Sequence, residues 1–275
     1  MQIVHYLDGK FVTEENLVIS PRDLGFTRGY AVFDFFRTYN GHKPFMFDYH
    51  IDRFFNSARA INLPLPWTKT EIKGIITKTL RKNDQEKEFA VRIMASGGTL
   101  TSSSLPTLIV ILDEAISFPE SIYTNGIEAL TLTYRRDNPN SKTTHYLEAI
   151  KHMKRMESAG AGEILYVHDD LILEGAYSNF FCVINDVLIT PKHNILPGAT
   201  RFTVIEKLDQ KIPIKIRDLR LDELYSAAEA FVSVSGKGIV PVIKVDGKVI
   251  GHGKVGPITK DIHGKFNEFI ANGDY

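Results

Sequence analysis

A two-domain α/β (α+β) fold is what this sequence predicts, and three observations predict it. Segments with helical apolar spacing alternate along the chain with short β-rich runs bounded by turn residues, the pattern of layered helix-and-sheet domains. A turn-rich stretch over 113–120, with Ile116-Ser117-Phe118-Pro119 inside it, interrupts the alternation and reads as a linker. The 275 residues suffice for about one or two domains. The division expected from these is a small N-terminal domain over 1–115, a linker over 116–121 and a larger C-terminal domain over 122–275.

The elements follow in order. The first residues alternate and turn at Asp8-Gly9, which predicts a β-hairpin over 3–12. Ile51, Phe54, Phe55, Ala58 and Ile61 recur at helical spacing within 48–63, and Pro64 supplies the stop. Thr68 and Glu71 have the spacing of a capping box for a helix over 69–83. Residues 89–95 and 107–112 are β-rich and flank a Gly/Ser/Thr loop over 96–104. Past the linker, 126–134 reads as a strand and 146–158 as a helix. Short strands over 164–168, 171–173, 179–184 and 187–190 come next, with turns at Asp169-Asp170 and Asn185-Asp186. Helices over 200–208 and 223–227, strands over 230–235 and 240–245, a turn at Asp246-Gly247 and a last helix over 257–271 complete the chain.

Composition excludes several classes. Thirty-three basic residues balance 33 acidic ones, and 43% hydrophobic with 24% charged residues reads as an ordinary folded protein. A broad basic face for nucleic acid is not expected. The single cysteine, Cys182, rules out an intramolecular disulfide and a cysteine metal cage. Set in Phe180-Phe181-Cys182-Val183-Ile184, it reads as a buried, inert thiol. The histidines show no metal-ligand pairing, so no metal is expected. No apolar run approaches the ~20 residues that span a bilayer, and 1–10 lack the basic-then-apolar pattern of a secretory signal. No membrane partner is expected, and a reducing cytoplasm is the expected compartment. Phosphate-loop, dinucleotide, zinc-protease and nucleophile-elbow motifs are missing from the sequence.

Four clusters carry chemistry. Lys142 sits between the turn-rich 136–141 and the helix-like run from Thr143, where a lysine can enter a site, lose solvation and become nucleophilic toward a carbonyl. Taken alone, a solvated surface lysine fits the same residues. Glu174-Gly175-Ala176-Tyr177-Ser178-Asn179 places a carboxylate before small hydroxyl and amide side chains, a set that can hold a cationic heterocycle nitrogen beside an anion, or simply a polar turn. Leu196-Pro197-Gly198-Ala199-Thr200-Arg201 offers backbone N–H groups and a hydroxyl where a helix N-terminus binds phosphate; glycine before threonine also simply starts a helix. Arg53 lies between Asp52 and an apolar helix face, a setting that also suits a surface arginine.

In this order and spacing, together with 23–34 and His50-Ile51-Asp52-Arg53, the clusters resemble the class IV (fold-type IV) pyridoxal-phosphate aminotransferases, which include branched-chain and D-amino acid aminotransferases and aminodeoxychorismate lyase. The resemblance implies a two-domain fold like that of D-amino acid aminotransferase, a homodimer and pyridoxal 5'-phosphate as cofactor. It assigns Lys142 the Schiff base and the proton shuttle, and Glu174 the protonated pyridine nitrogen, which keeps the ring an electron sink. Arg53, Ala199 and Thr200 take the phosphate; Ser235 contacts phosphate or substrate carboxylate; Tyr146 approaches the ring hydroxyl. Ser178 and Asn179 complete the cofactor set, and Arg28, Phe33, Arg92 and Gly236 form the substrate side.

The sequence departs from the family pattern in two places. Arg28 stands where the family carries an aromatic residue, and Tyr30 where it carries Asp. The loop over 97–104 lacks the Arg-x-His carboxylate trap of the best-known D-amino acid enzymes. Arg28 is therefore expected to supply the missing charge for a substrate carboxylate, across a dimer interface; a salt bridge to Asp23 or Asp34 is the alternative. The expected activity is transfer of an amino group between an amino acid, D-type favoured, and a 2-oxo acid. The runner-up is release of pyruvate and 4-aminobenzoate from aminodeoxychorismate. A cationic pocket suits an aliphatic side chain poorly, which counts against branched-chain substrates.

Overall fold

A computed structural model describes residues 2–100, 105–273 and 275; Thr101–Ser104 of the Gly/Ser/Thr loop lie outside the described residues. The chain divides into two compact units. Unit 1 comprises 1–116, 141–145 and 273–275, and unit 2 comprises 117–140 and 146–272.

Unit 1 contains β1 (His5–Leu7), β2 (Lys10–Val12), α1 (Leu24–Arg28), β3 (Ala31–Tyr39), β4 (Lys43–Pro44), α2 (Phe47–Ala60), α3 (Lys69–Arg81), β5 (Phe89–Ser96) and β6 (Thr107–Glu114). Its six strands form one antiparallel sheet in the order β2-β1-β6-β5-β3-β4. Asp8 and Gly9 both turn left-handed, at φ 42° and 87°, as a two-residue hairpin turn requires. Thr68 and Glu71 make both bonds of the capping box. Helix α2 stops at Ala60, before Pro64, because Asn62 turns left-handed (φ 54°) and the Leu63 N–H closes on the Ala58 carbonyl at 2.9 Å. One face of the sheet packs Val32, Phe36, Val91, Ile93 and Val110 against Ile51 and Phe54 of α2 and Ile72 and Ile76 of α3. The long strand β3 has no counterpart in the sequence reading. Asp34, wholly buried among aromatics, breaks the apolar alternation by which a strand is recognised.

Unit 2 contains α4 (Ser121–Thr124), β7 (Ile127–Thr133), α5 (Leu147–Ser158), β8 (Glu163–His168), β9 (Leu171–Gly175), β10 (Asn179–Ile184), β11 (Val187–Thr190), α6 (Ala199–Glu206), β12 (Ile214–Ile216), β13 (Leu219–Arg220), α7 (Leu221–Leu224), β14 (Glu229–Val234), β15 (Gly238–Val245), β16 (Lys248–Val249) and α8 (Pro257–Asn272). The strand order is β12-β11-β10-β14-β15-β7-β8-β9-β13, with β16 on β15. Strand β7 runs parallel to both β8 and β15, so the sheet is mixed. Strand β8 is buried on both faces: Leu165 and Val167 enter one apolar cluster with Phe180 and Val232, and Ile164 and Tyr166 enter another with Ala149 and Leu173. The short helix expected over 223–227 lies instead at 221–224, where Glu223 bonds back to the Arg220 N–H at 3.0 Å. Cys182 is buried and its thiol is pushed up to about 12, chiefly by burial. Among the described residues no helix is long and apolar enough to cross a membrane.

Helix α8 is started from outside itself. The buried Glu229 carboxylate accepts the N–H groups of Ile258 (3.0 Å) and Thr259 (2.7 Å) and the Thr259 hydroxyl (2.7 Å). Glu229→Ala leaves these donors buried without an acceptor. It is expected to lower the unfolding free energy by about 2–3 kcal/mol, read from denaturant melts at neutral pH.

Candidate active site

In unit 1, residues 141–145 run antiparallel to the start of β3. The Phe33 N–H donates to the Lys142 carbonyl (2.9 Å), Val32 bridges Thr143, and the Thr144 N–H donates to the Ala31 carbonyl (3.3 Å). The Lys142 N–H donates to Ser57 Oγ on α2 at 3.0 Å. The backbone of Lys142 is thus held from two sides, and its Nζ stands 4.6 Å above the Phe33 ring. The same sheet face carries Arg92, since Phe33 pairs with Met94 and Phe35 with Arg92 across β3 and β5. The Arg92 guanidinium lies 6.0 Å from the Phe35 ring centre.

Arg53 projects from α2 into the interior and is 5% exposed, which sets aside the surface alternative. Its Nε donates to Asp34 Oδ2 (2.8 Å) and its Nη2 to Oδ1 (2.7 Å), a two-pronged ion pair. His50 Nδ1 lies 2.7 Å from the same Oδ1 and donates to it, and Nε2 is buried without a partner among the described residues. Burial alone would push Asp34 up, but the charges of Arg53 and His50 and their hydrogen bonds outweigh it and hold the carboxyl well below the usual range. Burial pushes His50 down, against the opposing pull of Asp34.

Arg28 ends α1 and is exposed; among the described residues its guanidinium donates to the Thr27 carbonyl alone (2.8 Å). It makes neither of the salt bridges considered for it. Asp34 is occupied by Arg53 and His50, and Asp23 accepts from the Gly25 N–H (2.7 Å), Ser96 Oγ (2.7 Å) and Thr107 Oγ1 (2.9 Å).

In unit 2, Glu174 is the centre. Oε1 accepts from Arg136 Nε (2.9 Å) and Nη2 (2.6 Å), and Oε2 accepts the Leu196 N–H (2.7 Å). Asn179 grips the other end of that residue, its Nδ2 donating to the Leu196 carbonyl at 2.8 Å. Leu196 leads through Pro197 and Gly198 into α6, so two polar side chains flanking the turn between β9 and β10 hold the approach to that helix. The N-terminus of α6 has no side-chain cap, and its first N–H groups have no partner within the helix. Gly198 is required there, because a Cβ would lie 1.9 Å from Asn179 Oδ1. Thr200 is 2% exposed, and its hydroxyl has no partner. An uncapped helix start with an orphaned hydroxyl fits a phosphate.

The remaining predicted residues of this unit fall nearby in the chain. Ser235 and Gly236 form the turn between β14 and β15. Tyr146 caps α5 and stacks on Tyr177, ring centres 5.6 Å apart. The Ser178 hydroxyl points elsewhere, donating to Glu163 Oε2 at 2.7 Å. Sequence reasoning missed Arg136, Asp34, His50, Glu163 and Ser233. Arg136 opens the turn-rich stretch before Lys142, and His50 stands one turn before Arg53, which were the available signals. Ser233 pairs with Asn179 across β14 and β10 and keeps a buried hydroxyl without a partner. No local pattern marks it.

The sequence model of the amino-transferase class IV family matches residues 31–245. A putative branched-chain-amino-acid aminotransferase of Methanocaldococcus jannaschii is 35% identical, the alignment covering 96% of this chain and 95% of that protein. A D-alanine aminotransferase of Staphylococcus aureus is 31% identical over 97% of this chain and 98% of its own. The crystal structure of a branched-chain aminotransferase from Thermoproteus uzoniensis with norvaline superposes with a TM-score of 0.88 at 26% identity, covering 100% of this chain and 96% of that one. The chain belongs to the class IV aminotransferases, and its mixed α/β architecture is the fold the sequence pointed to.

The depressed Asp34 has a consequence for acid stability. A carboxyl whose folded pKa lies below its unfolded value of about 3.9 contributes stability that is present above that value and lost as pH falls toward the folded one. Asp34→Asn is expected to cost about 3–5 kcal/mol at neutral pH, because Arg53 is left buried without its counter-charge. The variant should also flatten the acid limb of a stability–pH profile below pH about 4, measured by urea melts.

Proposed function

We propose that this class IV aminotransferase moves an amino group between an amino acid and a 2-oxo acid, with pyridoxal 5'-phosphate as its cofactor. The observation that carries the reading is the anchoring of Lys142, whose backbone is bonded to both β3 and α2 while its Nζ stands over Phe33. When bound, the cofactor supplies an electron sink for the substrate carbon. Lys142 would hold the cofactor through its Nζ and, once the substrate has displaced it, would carry a proton at that same atom to and from the substrate carbon. Glu174, oriented by Arg136 and the Leu196 N–H, offers a fixed negative charge to the pyridine nitrogen. The phosphate is assigned to Ala199 and Thr200 at the start of α6, and the family pattern assigns it to Arg53 as well. Arg53 enters as a preorganised cation, since Asp34 fixes its guanidinium in advance. The family pattern gives Ser235 the phosphate or the substrate carboxylate, Asn179 serves the cofactor through the Leu196 carbonyl and Ser178 through Glu163, and Tyr146 approaches the ring hydroxyl.

On the substrate side we assign Arg28, Phe33, Arg92 and Gly236, following the family pattern. Arg28 is exposed and has no carboxylate partner among the described residues, which supports its use by a substrate carboxylate and favours a D-amino-acid type. Phe26, next to it on α1, is 73% exposed, an apolar ring of the kind a partner surface covers, which supports a homodimer with Arg28 serving the partner's Lys142. The relatives favour neither substrate class over the other: one carries a branched-chain name and another a D-alanine name. L-branched-chain transfer is therefore the second reading.

Two outcomes are expected. Lys142→Ala should remove the yellow, borohydride-reducible cofactor and lower transamination by about 10²–10⁴-fold; a variant as yellow and as reducible as wild type overturns the lysine assignment. Arg28→Ala should raise KM about 10–100-fold with kcat less affected. Mixing it with Lys142→Ala and reassembling should restore part of the activity through hybrid dimers. The assay runs D-alanine, L-leucine, L-glutamate and aminodeoxychorismate side by side; an unchanged KM throughout sinks the Arg28 assignment, and pyruvate release from aminodeoxychorismate without amino transfer sinks the transaminase reading.

A further inference from the structure

Glu163 opens β8, a strand whose next four residues are apolar in character, Ile-Leu-Tyr-Val. It is 6% exposed, and no lysine or arginine is paired with it among the described residues. Its Oε1 accepts the Ile164 N–H at 2.9 Å and its Oε2 accepts the Ser178 hydroxyl at 2.7 Å. Burial pushes its pKa up, against hydrogen bonds from Ser178 and from the Ile164 and Tyr177 backbone. A buried carboxyl held by neutral donors costs stability relative to an apolar residue.

We propose that Glu163 is a positioning residue: through Ser178 it fixes the turn that joins β9 to β10, and thereby the place and direction of Glu174. The inference rests on the reading of Glu174 as the partner of the pyridine nitrogen.

The geometry is direct. The turn is closed by the Gly175 N–H on the Ser178 carbonyl (2.8 Å), and the Ala176 N–H reaches the Ile164 carbonyl on β8 (2.8 Å). The Glu163–Ser178 pair fills the space beside Gly175. A Cβ at Gly175 would stand 2.1 Å from Ser178 Oγ and 2.9 Å from the Glu163 carboxyl carbon. Successive side chains of a strand point to opposite faces, so the pair backs the strand on the side away from the Glu174 carboxylate. From that side chain, the hydrogen bond to Leu196 leads on to the α6 N-terminus. A shift of the turn would move the ring's counter-charge and, through Asn179 and Leu196, the phosphate cradle with it.

The test is cofactor binding followed by absorption, with melting of the cofactor-free protein alongside. Glu163→Ala is expected to weaken pyridoxal phosphate binding about tenfold, the worth of one hydrogen bond to a charged group. It should displace the bound cofactor's absorption in the direction produced by Glu174→Gln. Glu163→Gln can still accept from Ile164 and donate to the Ser178 hydroxyl, and should return to within about twofold of wild type. In a Glu174→Gln background, Glu163→Ala should add no further displacement. A lower melting temperature with unchanged absorption and affinity overturns the proposal, because a merely structural role predicts that result. Should Glu163→Ala fail to fold, Ser178→Ala removes the shared hydrogen bond alone and is held to the same two outcomes. If Glu174→Gln itself leaves the absorption unchanged, the reading of Glu174 falls; if it displaces the absorption and Glu163→Ala does not, the inference about Glu163 falls alone.

Discussion

The constraint on which unit 2 depends is the solvation of one buried carboxylate. Glu174 is 4% exposed, and a charge so placed survives only if every lone pair is answered. Arg136 answers one oxygen with two N–H groups and the Leu196 N–H answers the other. Those two partners come from distant stretches of chain, one ahead of Lys142 and one ahead of α6. Meeting the electrostatic need of a single side chain therefore organises three segments at once. The Arg136 arm adds a counter-charge in a low dielectric to what a neutral hydrogen bond alone gives, about 1 kcal/mol net.

Unit 1 solves the matching problem for a cation. Arg53 is buried on α2, and Asp34 on the facing strand supplies the counter-charge. His50, one turn before Arg53, steadies the carboxylate through Nδ1. The two prongs on Asp34 remove the rotational freedom that a lone guanidinium would lose on meeting an anion. The cost of ordering is met when the protein folds and not when a ligand arrives. Lys142 is treated alike: its backbone is fixed by Ser57 and Phe33, so only the side chain remains to be placed.

Most of the fold was legible because its signals are local. The hairpin turns at Asp8-Gly9, Asp169-Asp170, Asn185-Asp186 and Asp246-Gly247 all adopt the left-handed backbone those residue pairs tolerate. The capping box before α3 is visible in two letters of sequence. What escaped was non-local. Strand β3 was hidden by Asp34, a charge whose burial makes sense only once Arg53 is seen opposite it. The stop of α2 lies in the backbone of Asn62, not in the nearby proline. For the site the same division holds. Lys142, Glu174 and Thr200 lie in recognisable clusters, whereas Arg136, His50 and Glu163 matter through partners far along the chain.

Four of the buried carboxylates among the described residues show how a chain of zero net charge keeps strong local fields. Asp34 is neutralised by Arg53, and Glu174 by Arg136. Glu229 spends its charge on the start of α8, where aligned N–H groups substitute for a cation. Glu163, like Glu229, is bonded to neutral donors only, and Lys237 acts on it from a distance. The two differ in what they tie together. Glu229 starts a helix, whereas Glu163 joins the head of β8 to the turn between β9 and β10, the turn that follows Glu174 directly in the chain. A carboxyl at that point gives up the stability an apolar residue would add, and what it fixes in return is the seat of that turn.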